Sequence, residues 1–167
     1  MAAPGPDTSS TLSLQERYAP RSVCFGCGPA NADGLRIRSF PAPDGDGLVC
    51  DWQPRPMHEA FPGVLNGGII GSLLDCHANW AAVMALMTAR GLDRAPASVT
   101  ASMELRYRRP APSGGLVRLR ARAVSIEGDR VTCEGELRAG DDDAVCATVR
   151  ATFVAVKPGH PGYHRWD

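Results

Sequence analysis

From Ile69 to about Arg90 apolar residues return at helical spacing. Ile69, Leu73, Trp80, Met84 and Met87 form one stripe, with Ile70, Leu74, Ala81 and Ala85 beside it. The pattern predicts a long helix buried over most of its circumference. After it the period changes to two. Ala97–Tyr107, Gly115–Ile126, Arg130–Leu137 and Ala144–Val156 each alternate apolar and polar residues. With turn chemistry at Glu127-Gly128-Asp129 and Gly140-Asp141-Asp142-Asp143, they predict four strands running as one antiparallel meander. Before the helix, Gly34–Phe40 and Gly47–Trp52 alternate around Pro43-Asp44-Gly45-Asp46-Gly47 and predict a hairpin. The proline-rich Pro54–Leu65 then leads into the helix as a loop. Two strands, one helix and four strands describe an α+β domain, an antiparallel sheet of about five to six strands wrapped around one central helix.

The helix carries a carboxylate, Asp75, and opens on Asn66-Gly67-Gly68. Gly68, Gly71, Ser72, Ala78, Asn79 and Ala82 share the face of Asp75, so something approaches that face closely. Glycines are poor helix formers, but at a helix start they bare N–H groups that attract negative charge, a developing oxyanion included. A lone carboxylate in an apolar helix commonly turns to solvent or caps a loop, because buried charge is costly. Here the flanking glycines and the lack of Lys or Arg within the helix before Arg90 favour a site. Gly67 and Asp75 lie eight residues apart, roughly 12 Å along a helix at about 1.5 Å per residue. They cannot both touch one carbonyl, so an oxyanion at the helix tip and an attacking carboxylate would come from two helices, which an antiparallel homodimer supplies.

With 167 residues, one domain is expected: a flexible N-terminal tail over 1–20, the folded domain over 21–156 and a Pro, Gly and His-containing tail over 157–167. Met1–Thr11 reads as disordered, a turn of helix fits Ser13–Tyr18, and the pattern does not decide whether the C-terminal tail docks. Lys plus Arg equals Asp plus Glu at 18 each, so no charge imbalance argues for nucleic acid, and the partners expected are a small molecule and another copy of the chain. The first residues lack a signal-peptide pattern, and the apolar run Ala78–Met87 is too short to span a membrane, so a cytoplasmic protein with six reduced cysteines is expected. Cys24-Phe25-Gly26-Cys27-Gly28 has no second C-x-x-C or H-x3-H at zinc-finger spacing and reads as a structural loop, with a zinc site completed by His58 or Cys50 as the alternative. Cys76 and His77 read as packing residues. No nucleophile elbow, Walker loop, H-E-x-x-H or EF-hand loop occurs, which leaves a carboxylate and backbone amides to carry any chemistry.

Asn66-Gly67-Gly68 through Asp75, with Phe61-Pro62-Gly63-Val64-Leu65 before it, Thr100 to Pro110 after it and Cys24-Phe25-Gly26-Cys27-Gly28 at the start, resembles the hot-dog fold acyl-CoA thioesterases of the phenylacetate-degradation (PaaI-like) branch. The resemblance covers roughly Cys24 to Val156. It implies hydrolysis of an acyl-CoA, with coenzyme A entering only as part of the substrate, no cofactor and no metal, in a homodimer or homotetramer. Asp75 would be nucleophile or general base, and the Gly67 amide of the facing subunit would polarise the carbonyl. Asn66 stands where the family has histidine, and Thr100 where related enzymes orient water. Gly68, His58 and Asn79 would line the substrate site, and Arg106, Arg108 and Arg109 would hold coenzyme A phosphates. Asn66 cannot titrate near neutral pH as imidazole does, which keeps open a non-catalytic acyl-CoA-binding protein. A thioesterase acting on acyl-carrier protein is a further alternative.

Overall fold

The computed structural model describes residues 11–167, so the disorder expected over Met1–Thr11 falls almost wholly outside it. In chain order the elements are α1 (Leu14–Tyr18), β1 (Phe40–Pro41), β2 (Leu48–Trp52), a 3-10 turn over Pro56–His58, β3 (Glu59–Phe61), β4 (Val64–Leu65), α2 (Gly67–Arg90), β5 (Ser98–Tyr107), β6 (Val117–Glu127), β7 (Arg130–Ala139) and β8 (Ala144–Ala155). β3 and β4 pair with each other; the other six strands form one antiparallel sheet in the order β1-β2-β6-β7-β8-β5. With α2 lying across one face, this is the hot-dog arrangement the pattern implies.

The core follows from both periodicities. Leu119 and Ala121 of β6, Val131, Cys133 and Leu137 of β7, and Ala147, Val149, Ala151 and Phe153 of β8 point to the helix and are buried. They meet Leu73, Leu74, Trp80, Val83 and Leu86 of α2, all wholly inaccessible. By length and composition α2 could cross a membrane, contrary to the reading that no apolar segment is long enough, but 72% of its apolar window is buried inside the protein. Its apolarity is that of a core helix, wrapped by sheet rather than by lipid.

Two sequence expectations are corrected. Only β6, β7 and β8 form a meander; β5 lies at the far edge beside β8, and β6 pairs with β2. The link from β5 to β6 holds Pro110 and Pro112 and is no tight turn. Its Ala111 carbonyl accepts from Leu65 N–H at 2.9 Å, so the chain crosses to the other side of the sheet. The strand expected over Gly34–Phe40 shrinks to Phe40–Pro41. Arg36 adopts φ +50°, and Leu35 and Ile37 donate their N–H groups to Phe25 and Gly26 carbonyls at 2.7 and 3.1 Å. That stretch pairs with the cysteine loop instead of with β2.

A buried polar chain ties the N-terminal residues to α2. Gln15 Nε2 donates to Ser39 Oγ (2.9 Å), and Ser39 Oγ lies 2.8 Å from His77 Nδ1, while His77 Nε2 lies 3.2 Å from the Leu48 carbonyl. A carbonyl only accepts, so Nε2 carries the proton and Nδ1 accepts from Ser39. Burial pulls His77 down to about 4, which keeps it neutral. Within the expected N-terminal tail, then, Ser13, Leu14 and Gln15 are buried, and α1 is closed by a capping box between Ser13 and Glu16. Ser39→Ala leaves Gln15 Nε2 and His77 Nδ1 buried without a partner, and chemical denaturation is expected to show a loss of about 1–3 kcal/mol.

Candidate active site

Asp75 sits half-buried in the third turn of α2, where Thr100 Oγ1 of β5 donates to its Oδ1 at 2.7 Å. A strict period of two would put Thr100 on the outer face with Glu104 and Arg106. The register between β5 and β8 slips between Thr100 and Ser102, leaving Ala101 bulged. Beyond the bulge the odd residues face α2: Leu105 Cδ1 would lie 3.2 Å from a Cβ placed on Gly71, and Tyr107 Oη donates to the Gly67 carbonyl at 2.8 Å. The bulge is what turns Thr100 to the same side as Leu105 and Tyr107.

Burial pushes the Asp75 carboxyl upward, opposed by the Thr100 hydrogen bond and the Arg165 guanidinium. One oxygen is fixed by Thr100, and the other has no hydrogen-bond partner among the described residues. A poorly solvated carboxylate so held is a stronger base and nucleophile than one in water. No sequence pattern points to Arg165 itself. It lies in the C-terminal residues, which dock: Trp166 is buried against Trp80, ring centroids 5.0 Å apart, and its Nε1 donates to the Pro96 carbonyl. Arg165 follows from that anchor, donating to the Ser98 carbonyl at 2.6 Å. Trp166 in the sequence was the only signal for it.

At the tip of α2, Asn66 is the N-cap. Its Oδ1 accepts from the N–H groups of Gly68 (2.8 Å) and Ile69 (3.2 Å), and its own N–H donates to the His58 carbonyl. The Gly68 amide is thus taken up by the cap, whereas Gly67 N–H, one of the orphan donors of a first turn, has no partner among the described residues. With Oδ1 turned to the helix, Asn66 Nδ2 is a second donor without a partner among the described residues.

The remaining expected site residues fall into two groups. His58 supports the loop before the tip: Nδ1 accepts from Arg55 N–H at 2.9 Å, and the ring packs on Trp52. Asn79 is buried one turn beyond Asp75 and donates to the Ser98 carbonyl at 3.3 Å. Its Oδ1 and the Ser98 hydroxyl are both buried without a partner among the described residues. Arg106 and Arg108 are not brought to Asp75. They line an open groove of about 570 Å³ on the sheet's outer face with Arg120, Arg122 and Arg150, and Arg106 pairs with Glu104. Arg109 makes a bidentate pair with Asp142. Cys24, Cys27 and Cys76, which spacing alone did not connect, have their sulfurs together beside Asp75.

The model of the thioesterase superfamily matches residues 62–146, from the loop before α2 into β8. The match covers half of the chain, which belongs to that superfamily. Acyl-coenzyme A thioesterase THEM4 of Xenopus laevis is 29% identical over 111 residues, 66% of this chain and 46% of that protein. This chain spans about half the length of the curated relatives it matches. Among solved structures, a thioesterase superfamily protein of Shewanella loihica PV-4 is 27% identical with a TM-score of 0.61, covering 77% of this chain and 98% of that one. A phenylacetic acid degradation-related putative thioesterase of Ralstonia eutropha JMP134 is 28% identical with a TM-score of 0.59, covering 77% and 92%.

The cap yields a stability test independent of any activity. Asn66→Ala orphans two first-turn N–H groups and is expected to cost about 1 kcal/mol in urea denaturation. Asn66→Asp keeps the acceptor and adds a charge favoured by the helix dipole, so it should match or exceed the parent by about 0.3–1 kcal/mol.

Proposed function

We propose that the chain hydrolyses acyl-CoA thioesters at two sites in a homodimer, each built from Asp75 and Thr100 of one subunit and from Gly67 and Asn66 of its partner. The observation that carries this is the pairing of a half-buried, Thr100-bound carboxylate with an unpaired amide donor roughly 12 Å away on the same helix. Neither can complete the other within one chain. The free edge of β5 supports a second copy there: Met103 and Tyr107 are 41% and 55% exposed, and Phe61 before the tip is 60% exposed.

In the proposed reaction the substrate carbonyl oxygen accepts from Gly67 N–H and Asn66 Nδ2 of the partner subunit. Charge developing there in the transition state is met by donors already oriented by the helix. Asp75 either takes a proton from the water that attacks the carbonyl carbon and passes it to the departing sulfur as the carbon–sulfur bond breaks, or attacks the carbon itself, expelling the CoA thiolate and forming an anhydride that water then hydrolyses, freeing the acid and the Asp75 carboxylate and supplying the thiol proton. Asn66 changes the tip less than the loss of an imidazole suggests, because the Gly67 donor remains. The likeness to the Ralstonia eutropha protein supports a place in the phenylacetate-degradation branch, and the THEM4 relatives support CoA over carrier protein as the thiol.

Asp75→Ala should lower kcat/KM for CoA release by at least about a hundredfold, or 2.7 kcal/mol, and Thr100→Val by about tenfold. Gly67→Pro removes the donor while proline remains acceptable at a first helical position after an extended residue. Gly67→Ala, which keeps the N–H, is the control. Mixing Asp75→Ala with Gly67→Pro subunits creates hybrid dimers with one intact site, so random mixing should restore about a quarter of the parent rate. No restoration, or full activity in Asp75→Ala, would exclude the shared site. Binding without turnover, the alternative that Asn66 keeps open, would instead appear as parent protein that holds acyl-CoA and releases no thiol.

A further inference from the structure

Cys24 and Cys27 lie on the loop before Leu35 and Cys76 on α2, yet their three sulfurs are within 4.8 Å of one another, with Cys24 Sγ and Cys76 Sγ 3.7 Å apart. Two sulfurs of a tetrahedral zinc site, each about 2.3 Å from the metal, are separated by about 3.8 Å. The surroundings suit thiolates. Trp80 Nε1 donates to Cys27 Sγ at 3.4 Å, Arg165 Nη2 approaches Cys24 Sγ at 3.8 Å, and the backbone N–H groups of Gly26 and Cys27 are directed at Cys24 Sγ. Such N–H···S contacts are how metal-bound thiolates are oriented.

Glycine is required for the approach. A Cβ on Gly26 would lie 2.4 Å from Cys76 Sγ, and one on Gly28 would lie 2.4 Å from the Cys24 nitrogen, where Gly28 N–H closes the loop on the Cys24 carbonyl at 2.8 Å. Neither His58 nor Cys50, the partners considered from spacing, joins the group: His58 Nδ1 faces Arg55 N–H and Cys50 Sγ faces the Asp51 carbonyl. We infer that Cys24, Cys27 and Cys76 form a three-thiolate site for a soft divalent cation, zinc by preference, leaving one coordination position for water or an added ligand. Three thiolates and one divalent ion leave a single negative charge, which Arg165 offsets. Binding forms three metal–sulfur bonds and releases the thiol protons to solvent, with no change of oxidation state. The ion would fasten the Ser22–Gly28 loop to the turn of α2 that carries Asp75.

Cobalt(II) serves as the visible probe. Titrated into the reduced, metal-free full chain, it is expected to give thiolate charge-transfer bands and tetrahedral absorption that saturate at one equivalent and vanish on adding zinc. Cys24→Ser and Cys76→Ser should each abolish the stoichiometric band, while Cys50→Ala retains it. Zinc should raise the thermal midpoint of the parent by several degrees, about 5 °C or more, and should leave Cys76→Ser unmoved. Asp75→Asn should still bind one equivalent, so this site and the hydrolytic reading can fail separately. Absent or unsaturable uptake, uptake indifferent to Cys76→Ser, or a native disulfide among the three cysteines found by alkylation mapping would overturn the site.

Discussion

The structure depends on burying an almost wholly apolar 24-residue helix against a single face of a sheet. Leu73, Leu74, Trp80, Val83 and Leu86 have no accessible surface, so α2 has no freedom to rotate without exposing large side chains. That constraint fixes which α2 residues lie at the margin of the sheet. Asp75 is such a residue: one turn later Asn79 is already buried, and one turn earlier Gly71 lies under Leu105. The carboxylate is held at the boundary between core and surface by packing of its neighbours, which is why it is poorly solvated while still open to a reactant.

The second determinant is a defect in the sheet. Without the extra residue at Ala101, either Thr100 would face outward or Leu105 and Tyr107 would, and the helix tip would lose Tyr107 while Asp75 lost its donor. The bulge lets one strand serve both ends of the site. It costs a ladder position at an edge strand, where pairing matters least. The same strand carries Glu104 and Arg106 on the opposite face, with Arg108 just past its end lining the same groove, so charge and chemistry are segregated across the thickness of the sheet.

How much of this was legible in the sequence differs element by element. The span of α2 and the positions of β5 to β8 were readable because each buries one face at a constant period. Pairing was not, since alternation is blind to neighbours, and the proline-bearing link after Tyr107 sends β6 to β2. The stretch 34–39 alternates like a strand because Leu35 and Ile37 are buried, but their partner is a loop. Asp75 and the glycines were evident from the chemistry a helix rarely tolerates. Cys76 and Arg165 were not, because each meets Cys24 across 52 and 141 residues of chain, and no local pattern encodes contacts of that range.

The thiol cluster and Asp75 share more than proximity. Asp75 and Cys76 are adjacent on the helix, and Arg165 acts on both the carboxylate and Cys24. A negative charge on Cys24 raises Asp75 further, whereas Arg165 draws it back. Whatever neutralises the sulfurs, protons or a cation, therefore sets the field in which the carboxylate works. The docked C-terminal residues belong to that balance. Trp166, buried against Trp80, brings Arg165 to Cys24, and Trp80 itself donates to Cys27. One buried aromatic of α2 thus organises both the packing of the last residues of the chain and the polarity of the region beside Asp75.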